Sequence, residues 1–340
     1  MPNPVSAVVY RAGRPESLHR GFGAVADARG LLLARFGDPE TPVYWRSAAK
    51  PFQAMPFVEA GGESRFGLSL PEIALACASH DGEPIHVKTA RAMLAKGGFS
   101  EADLRCGTHP PYDDAAAADL IARGEKPTPL HNNCSGKHAA MLLACKLFGF
   151  DSATYDSPDH PLQRKILGKI AFYADYPESS IEIGVDGCSL PVFRLPISRL
   201  ATAYARLLSP GEIPGEAEPA RVARRRIVEA MTGCPVFVSG SRQFTSRFIE
   251  AGGGRWIGKE GAEGVYAIGL ADGGGTGIAY KIEDGSGRAR YAVGLDILRK
   301  IGGEAGSNGA LAEYARPQLR NARGLKVGEI VADVPLEMLS

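Results

Sequence analysis

Two short stretches of this sequence combine residue types that can do chemistry. The first is Arg46-Ser47-Ala48-Ala49-Lys50-Pro51, a serine and a lysine three residues apart. A hydroxyl is a poor nucleophile until a base takes its proton. A lysine one helical turn later lies on the same face, within reach of that hydroxyl. Burial near other positive charge favours its neutral amine, which can then act as the base. A helix cap followed by a solvated lysine accounts for the same residues without chemistry. The second stretch is HNNCSGKHAA, containing Cys134, Ser135, Gly136, Lys137 and His138. Polar residues run here into an amphipathic helix, where backbone donors point outward and a thiol is acidified. The GK pair is no phosphate loop, because the preceding glycine and following hydroxyl residue are missing. A cap with a buried cysteine is the plain alternative.

Weaker signals accompany them. VDGCSLP places Asp186, Gly187 and Cys188 at the end of a short strand, as a ligand site or as a turn with a core cysteine. ACASHDGE carries Ser79 and His80, and GKEGAEG carries Lys259. ADGGGTG contains Gly273, Gly274 and Gly275, where backbone can approach a ligand closely, or where a hairpin simply turns. Cys77-x2-His80 with Cys106-x2-His109 imitates a four-ligand zinc set. Cys77 sits in the apolar run IALACAS, however, and reads as core.

Certain elements must hold these residues. VSAVVY, the run Leu18–Ala26 and LLLARFG predict strands near the start. From Ser47 onward the apolar spacing becomes three and four, and glycines close the segments. This predicts helices in AAKPFQAMPFVEAG, PEIALACAS, EPIHVKTARAMLAKGG, DDAAAADLIARG, KHAAMLLACKLFG and HPLQRKILGKIAFYAD. A strand at IEIGVDG precedes helices at ISRLATAYARLLS and PARVARRRIVEAMTG. Strands return in VYAIGLADGGG, TGIAYKIEDGSG and RARYAVGL, and SNGALAEYARPQLRNARG reads as a closing helix. The expected α/β object is a sheet assembled from both chain ends with a helical lobe inserted. Residues near 47 should then neighbour residues 259–277.

Composition narrows the function. The 340 residues hold 39 Lys+Arg and 38 Asp+Glu, a balance that disfavours nucleic-acid and polybasic membrane partners. No secretory signal or membrane-length apolar run is apparent, and six scattered cysteines are no disulfide framework, so a cytoplasmic protein is expected. The 42 glycines exceed the usual share of about 7%, which suggests tight turns and close backbone approaches.

Taken in order, RSAAKPFQ, CASHDGE, HNNCSGKH, DGCSLP, GKEGAEGVYAIG and DGGG resemble the bacterial asparaginase II family, the Rhizobium-type L-asparaginases. The resemblance covers nearly the whole chain. It implies a fold like that of serine β-lactamases and glutaminases, with an antiparallel sheet. The expected layout is one domain over 1–340, with its sheet from about 1–46 and 235–340 and its helical lobe from about 47–234. It implies hydrolysis of L-asparagine to L-aspartate and ammonia, with two Ser–Lys pairs mapping onto Ser47 with Lys50 and Ser79 with Lys259. It also implies one zinc ion per chain on Cys134, Lys137 and Cys188, and a homodimer. Ser47 is expected to attack the carboxamide while Lys50 takes its proton. Arg46, Asn133, His138, Asp186 and Gly273–Gly275 are candidates for holding the substrate. A glutaminase, a penicillin-recognising hydrolase and a non-catalytic zinc- or amino-acid-binding protein are the rivals. Against the second of these, no K-T-G triplet appears on the late strands.

Overall fold

The computed structural model describes residues 2–303 and 309–339. Strands β1 (Val5–Arg11), β2 (Arg14–Asp27), β3 (Leu32–Phe36) and β4 (Pro42–Tyr44) open the chain. Strands β5 (Glu182–Val185) and β6 (Pro191–Pro196) lie midway. Strands β7 (Trp256–Glu260), β8 (Val265–Leu270), β9 (Thr276–Ile282), β10 (Gln318–Arg320), β11 (Lys326–Ala332) and β12 (Glu337–Met338) follow. Two compact units result: one of Met1–Ala48, Leu195–Gly211 and Arg247–Ser340, the other of Ala49–Arg194 and Glu212–Ser246.

The first unit is built on a sheet ordered β10-β11-β1-β2-β9-β8-β7, with β3 on β2 and β12 on β3. The pairings are antiparallel, and both chain ends supply strands, as the strand-like segments at either end predict. Every residue of β8 is buried. The helices Ile197–Leu208 and Arg290–Lys300 pack on the sheet strands. Gly269 and Gly277 stand opposite each other on β8 and β9. A Cβ at 277 would lie 1.8 Å from the Ala201 carbonyl oxygen, and one at 269 would lie 2.9 Å from that of Tyr204. This bare cross-strand pair lets the helix Ile197–Leu208 settle against the backbone of the sheet.

Two expected elements differ. RARYAVGL is not a strand; the helix Arg290–Lys300 occupies it. Its buried stripe continues past Leu295 through Ile297 and Leu298, and a window ending at Leu295 sees only alternation. The expected closing helix shrinks to Ala312–Ala315, followed by Pro317 and β10, because proline cannot donate to a continuing helix. Its first residues, Ser307 and Asn308, lie outside the described residues.

The second unit is helical. Its central helix, Lys50–Glu59, is buried from Lys50 to Val58. It packs against Ser135–Phe148, Pro161–Ala174 and Glu218–Gly233. A capping box between Ser69 and Glu72 starts the helix Leu70–Ala76, which ends just before Ser79. No helix among the described residues is long and apolar enough to cross a membrane. All six cysteines are free thiols.

Candidate active site

In the helical unit Lys50 is wholly buried at the start of its helix. Its Nζ donates to the Ala78 carbonyl, lies 2.9 Å from Ser79 Oγ and reaches the Asn133 carbonyl at 3.5 Å. Ser79 is held in place by its own backbone, whose N–H donates to Val238 O at 3.0 Å. The next residue, His80, accepts a hydrogen bond from Gly82 N at Nδ1, so Nε2 carries the proton that goes to Ser135 Oγ at 2.9 Å. Burial holds the His80 imidazole well below its usual pKa.

Ser135 begins the helix Ser135–Phe148, and Cys134 is its N-cap residue. Cys134 N donates to Asn132 Oδ1 at 2.9 Å, and Asn132 Nδ2 donates to the Cys106 carbonyl at 2.8 Å. Gly136 is required by packing: a Cβ there would lie 2.4 Å from the Leu75 carbonyl oxygen. Lys137 Nζ lies 3.1 Å from Cys188 Sγ, and both residues are buried. The hydrogen bond shared with Cys134 draws the Cys188 thiol down to about 4 against the cost of burial, with Lys137 assisting. The same bond, with burial, pushes Cys134 up to about 12. Burial opposes the Lys137 charge, but the two sulfurs and Asp186 outweigh it and raise its pKa. Cys134, Lys137 and Cys188 thus meet at one place. Two sulfurs and an amine are donors that zinc accepts, once Cys134 and Lys137 release their protons.

His138, one residue on, is also buried, and burial followed by Lys137 lowers it to about 3. Tyr155 OH accepts from Arg105 N at 2.9 Å and lies 2.7 Å from His138 Nδ1. The other ring nitrogen, Nε2, is buried with no hydrogen-bond partner among the described residues. Asp186 closes a turn between β5 and β6, with Gly187 N on its Oδ1 at 2.8 Å and Ser189 at φ +72°.

In the sheet unit Ser47 is half-buried, and Arg46 before it adopts a left-handed φ of +50°. Lys259, on β7, is wholly buried with its Nζ 2.6 Å from Glu260 Oε1. The expected closeness of residues near 47 to those near 259–277 is found within this unit. A Cβ on Gly261 would lie 2.9 Å from the Trp45 carbonyl oxygen. Gly273 and Gly274 are exposed, whereas Gly275 is packed against the backbone of Ala205 and Ser209.

Several contacts were not foreseen. Glu260 lies inside the GKEGAEG segment, but strand alternation argues against its side chain meeting that of Lys259. Tyr155 carries no local signal at all. The imitation zinc set fails, since His80 and His109 both have protein partners and Cys77 is core. Among the described residues, a group of three acidic metal-capable side chains is Asp81, Glu83 and Asp113. Arg242 pairs with Asp113, Ser241 N donates to Glu83 Oε1 at 2.7 Å, and Gln243 Nε2 lies 3.5 Å from Asp81 Oδ2.

A family model described as L-asparaginase II matches residues 7–332. No curated protein sequence matches the chain significantly. Similar solved structures include Mglu in its glutamate form, at 15% identity and a TM-score of 0.44, covering 88% of this chain and 64% of that one. Another is a beta-lactamase, Mb2281c from Mycobacterium bovis, at 14% identity and a TM-score of 0.40, covering 86% of this chain and 94% of that one. The chain spans 60–65% of the length of the first three Mglu structures it matches.

Proposed function

Because this chain belongs to the L-asparaginase II family, and with it to the asparaginase-type amidohydrolases, we propose that it hydrolyses L-asparagine to L-aspartate and ammonia through a serine ester. The observation that carries the reading is the environment of Lys50. Its three partners are two carbonyl oxygens and a hydroxyl. The wholly buried Nζ donates to the carbonyls and faces the Ser79 hydroxyl, a setting in which an amine can exchange a proton with a nearby hydroxyl. Lys50 is then the general base.

Ser47, three residues before it, attacks the carboxamide carbon in the first reading, and its proton passes to Lys50. Lys50 returns that proton to the amide nitrogen as the C–N bond breaks and ammonia leaves; water then attacks the aspartyl ester, one of its protons passing through Lys50 to restore the serine hydroxyl. Ser79 and Lys259 relay protons. A second reading follows from the 2.9 Å contact between Lys50 Nζ and Ser79 Oγ, in which Ser79 is itself the nucleophile. The His138 Nε2, buried without a partner among the described residues, is a hydrogen-bonding group for the substrate, with Asn133, Asp186 and the Gly273–Gly275 backbone as further holders.

Zinc fits Cys134, Lys137 and Cys188, one ion per chain. When bound it supplies Lewis-acid polarisation or cross-links the loops that carry these residues. The homodimer rests on the resemblance, and sedimentation of the purified protein checks it; the cytoplasmic location rests on the sequence composition.

The test is ammonia release from L-asparagine and L-glutamine, run beside hydrolysis of a chromogenic β-lactam. Preference for L-asparagine is expected. L-Glutamine turnover alone would make the protein a glutaminase, and no turnover would favour a binding protein. Peptide mapping of the trapped ester, with Ser47→Ala and Ser79→Ala, assigns the nucleophile.

A further inference from the structure

The residue before Ser47 is in a conformation that non-glycine residues avoid. Arg46 has φ +50°, a left-handed geometry that brings its Cβ too close to the following carbonyl oxygen. Such a residue persists only where its surroundings over-determine it.

The surroundings here do so from both sides of the turn. Trp45 is completely buried, and its carbonyl accepts from Ala48 N at 3.1 Å. Gly261 is pressed against that same carbonyl, with room for a Cβ only 2.9 Å from its oxygen and 3.0 Å from Val265 Cβ. Gly261 is fixed in turn, its N–H on Val265 O at 2.9 Å and its own carbonyl accepting from Arg290 Nη1 at 3.1 Å. On the far side, the buried Tyr204 hydroxyl donates to the Ala48 carbonyl at 2.9 Å. The helix that bears Tyr204 is itself seated in the Gly269–Gly277 notch of the sheet.

We propose that Gly261 and Tyr204 are positioning residues that hold the Trp45–Ala48 turn, and that Arg46 contributes to it through its left-handed main chain, presenting the Ser47 hydroxyl for reaction. The inference rests on the reading that the Ser47 hydroxyl takes part in the chemistry. Displacing a reacting atom by about 1 Å costs on the order of 100-fold in rate, so the effect should fall on kcat.

The experiment measures kcat and KM for ammonia release from L-asparagine, with thermal melts, on the full chain. Tyr204→Phe removes one hydroxyl from an otherwise unchanged side chain. It should lower kcat about 10-fold while KM stays within about 3-fold and the melt remains cooperative. Arg46→Gly and Arg46→Val both remove the guanidinium, but only glycine adopts the left-handed backbone freely. The glycine variant should therefore retain at least about 10-fold more kcat than the valine variant. Equal kcat in those two variants, or wild-type kcat in Tyr204→Phe, overturns the proposal. Ser47→Ala is measured alongside. A wild-type rate in that variant would instead sink the premise that Ser47 reacts, and the proposal with it, whatever the positioning variants do.

Discussion

Two buried lysines and two buried histidines, one of each from either unit, keep different company. In the helical unit, Lys50 faces carbonyls and a hydroxyl, and His80 faces a backbone N–H and Ser135. In the sheet unit, Lys259 contacts the Glu260 carboxylate at 2.6 Å, and His19 contacts that of Asp284 at 2.7 Å. Neutral partners let a buried group give up its charge, whereas a carboxylate retains it. The contrast separates a lysine whose contacts are carbonyls and a hydroxyl from one set beside a carboxylate.

Replacing each lysine tests that division most severely. Lys50→Met should lower kcat for L-asparagine by about 10³-fold or more, and Lys259→Met by about 10–100-fold. Steady-state ammonia release gives both values, and equal losses would erase the distinction. Metal comes next. Cys188→Ser, expressed with ample zinc, should lose the ion by elemental analysis. With zinc near 1,000 times its dissociation constant, the lost stabilisation is about 4 kcal/mol. Unchanged melting of wild type after chelation would remove zinc from the account of the helical unit.

A pH experiment sharpens the histidine half of the comparison. The folded-state pKa of His80 is depressed by burial. Below about pH 6.5 the unfolded chain takes up a proton that folded His80 refuses. Its share of stability is complete above that pH and declines as pH falls toward the depressed folded value, by up to about 1.4 kcal/mol per pH unit. Urea unfolding between pH 7.5 and 5 should show that slope, and His80→Gln should reduce it, leaving the part that buried His138 contributes in the same way. Glu260→Gln carries the smallest expected effect, a kcat change of about 3-fold. Steady-state ammonia release reads the change, and a wild-type kcat would mean that the pair does not govern activity.

Much of the fold was legible in the sequence because periodicity reports which face of an element is covered. Several helices between Lys50 and Gly233 carry such patterns, while the early strands and the pair β8–β9 show as short β-rich runs between turn residues. Reading failed where the pattern was cut short, as at Arg290–Lys300, or broken by a proline, as at Pro317. The helix Ile197–Leu208 looks in sequence like its neighbours in the helical stretch, yet it belongs to the sheet unit. Its burial on nearly every side is what an amphipathic reading does not anticipate.

By itself the sequence determined which chemical groups are available: serines and lysines at motif spacing, thiols beside a helix start, and glycines beyond the average share. The tertiary structure decided their partners. Lys50 Nζ meets Ser79 Oγ although 29 residues separate them, and Lys137 meets Cys188 across 51. Gly136, Gly275 and Gly277 are accounted for by a neighbouring helix or strand-borne helix contact, where a Cβ would strike backbone. Local spacing constrains only residues within a turn or two of each other. Contacts between distant segments depend on how buried surfaces close together, and no short motif encodes that closure.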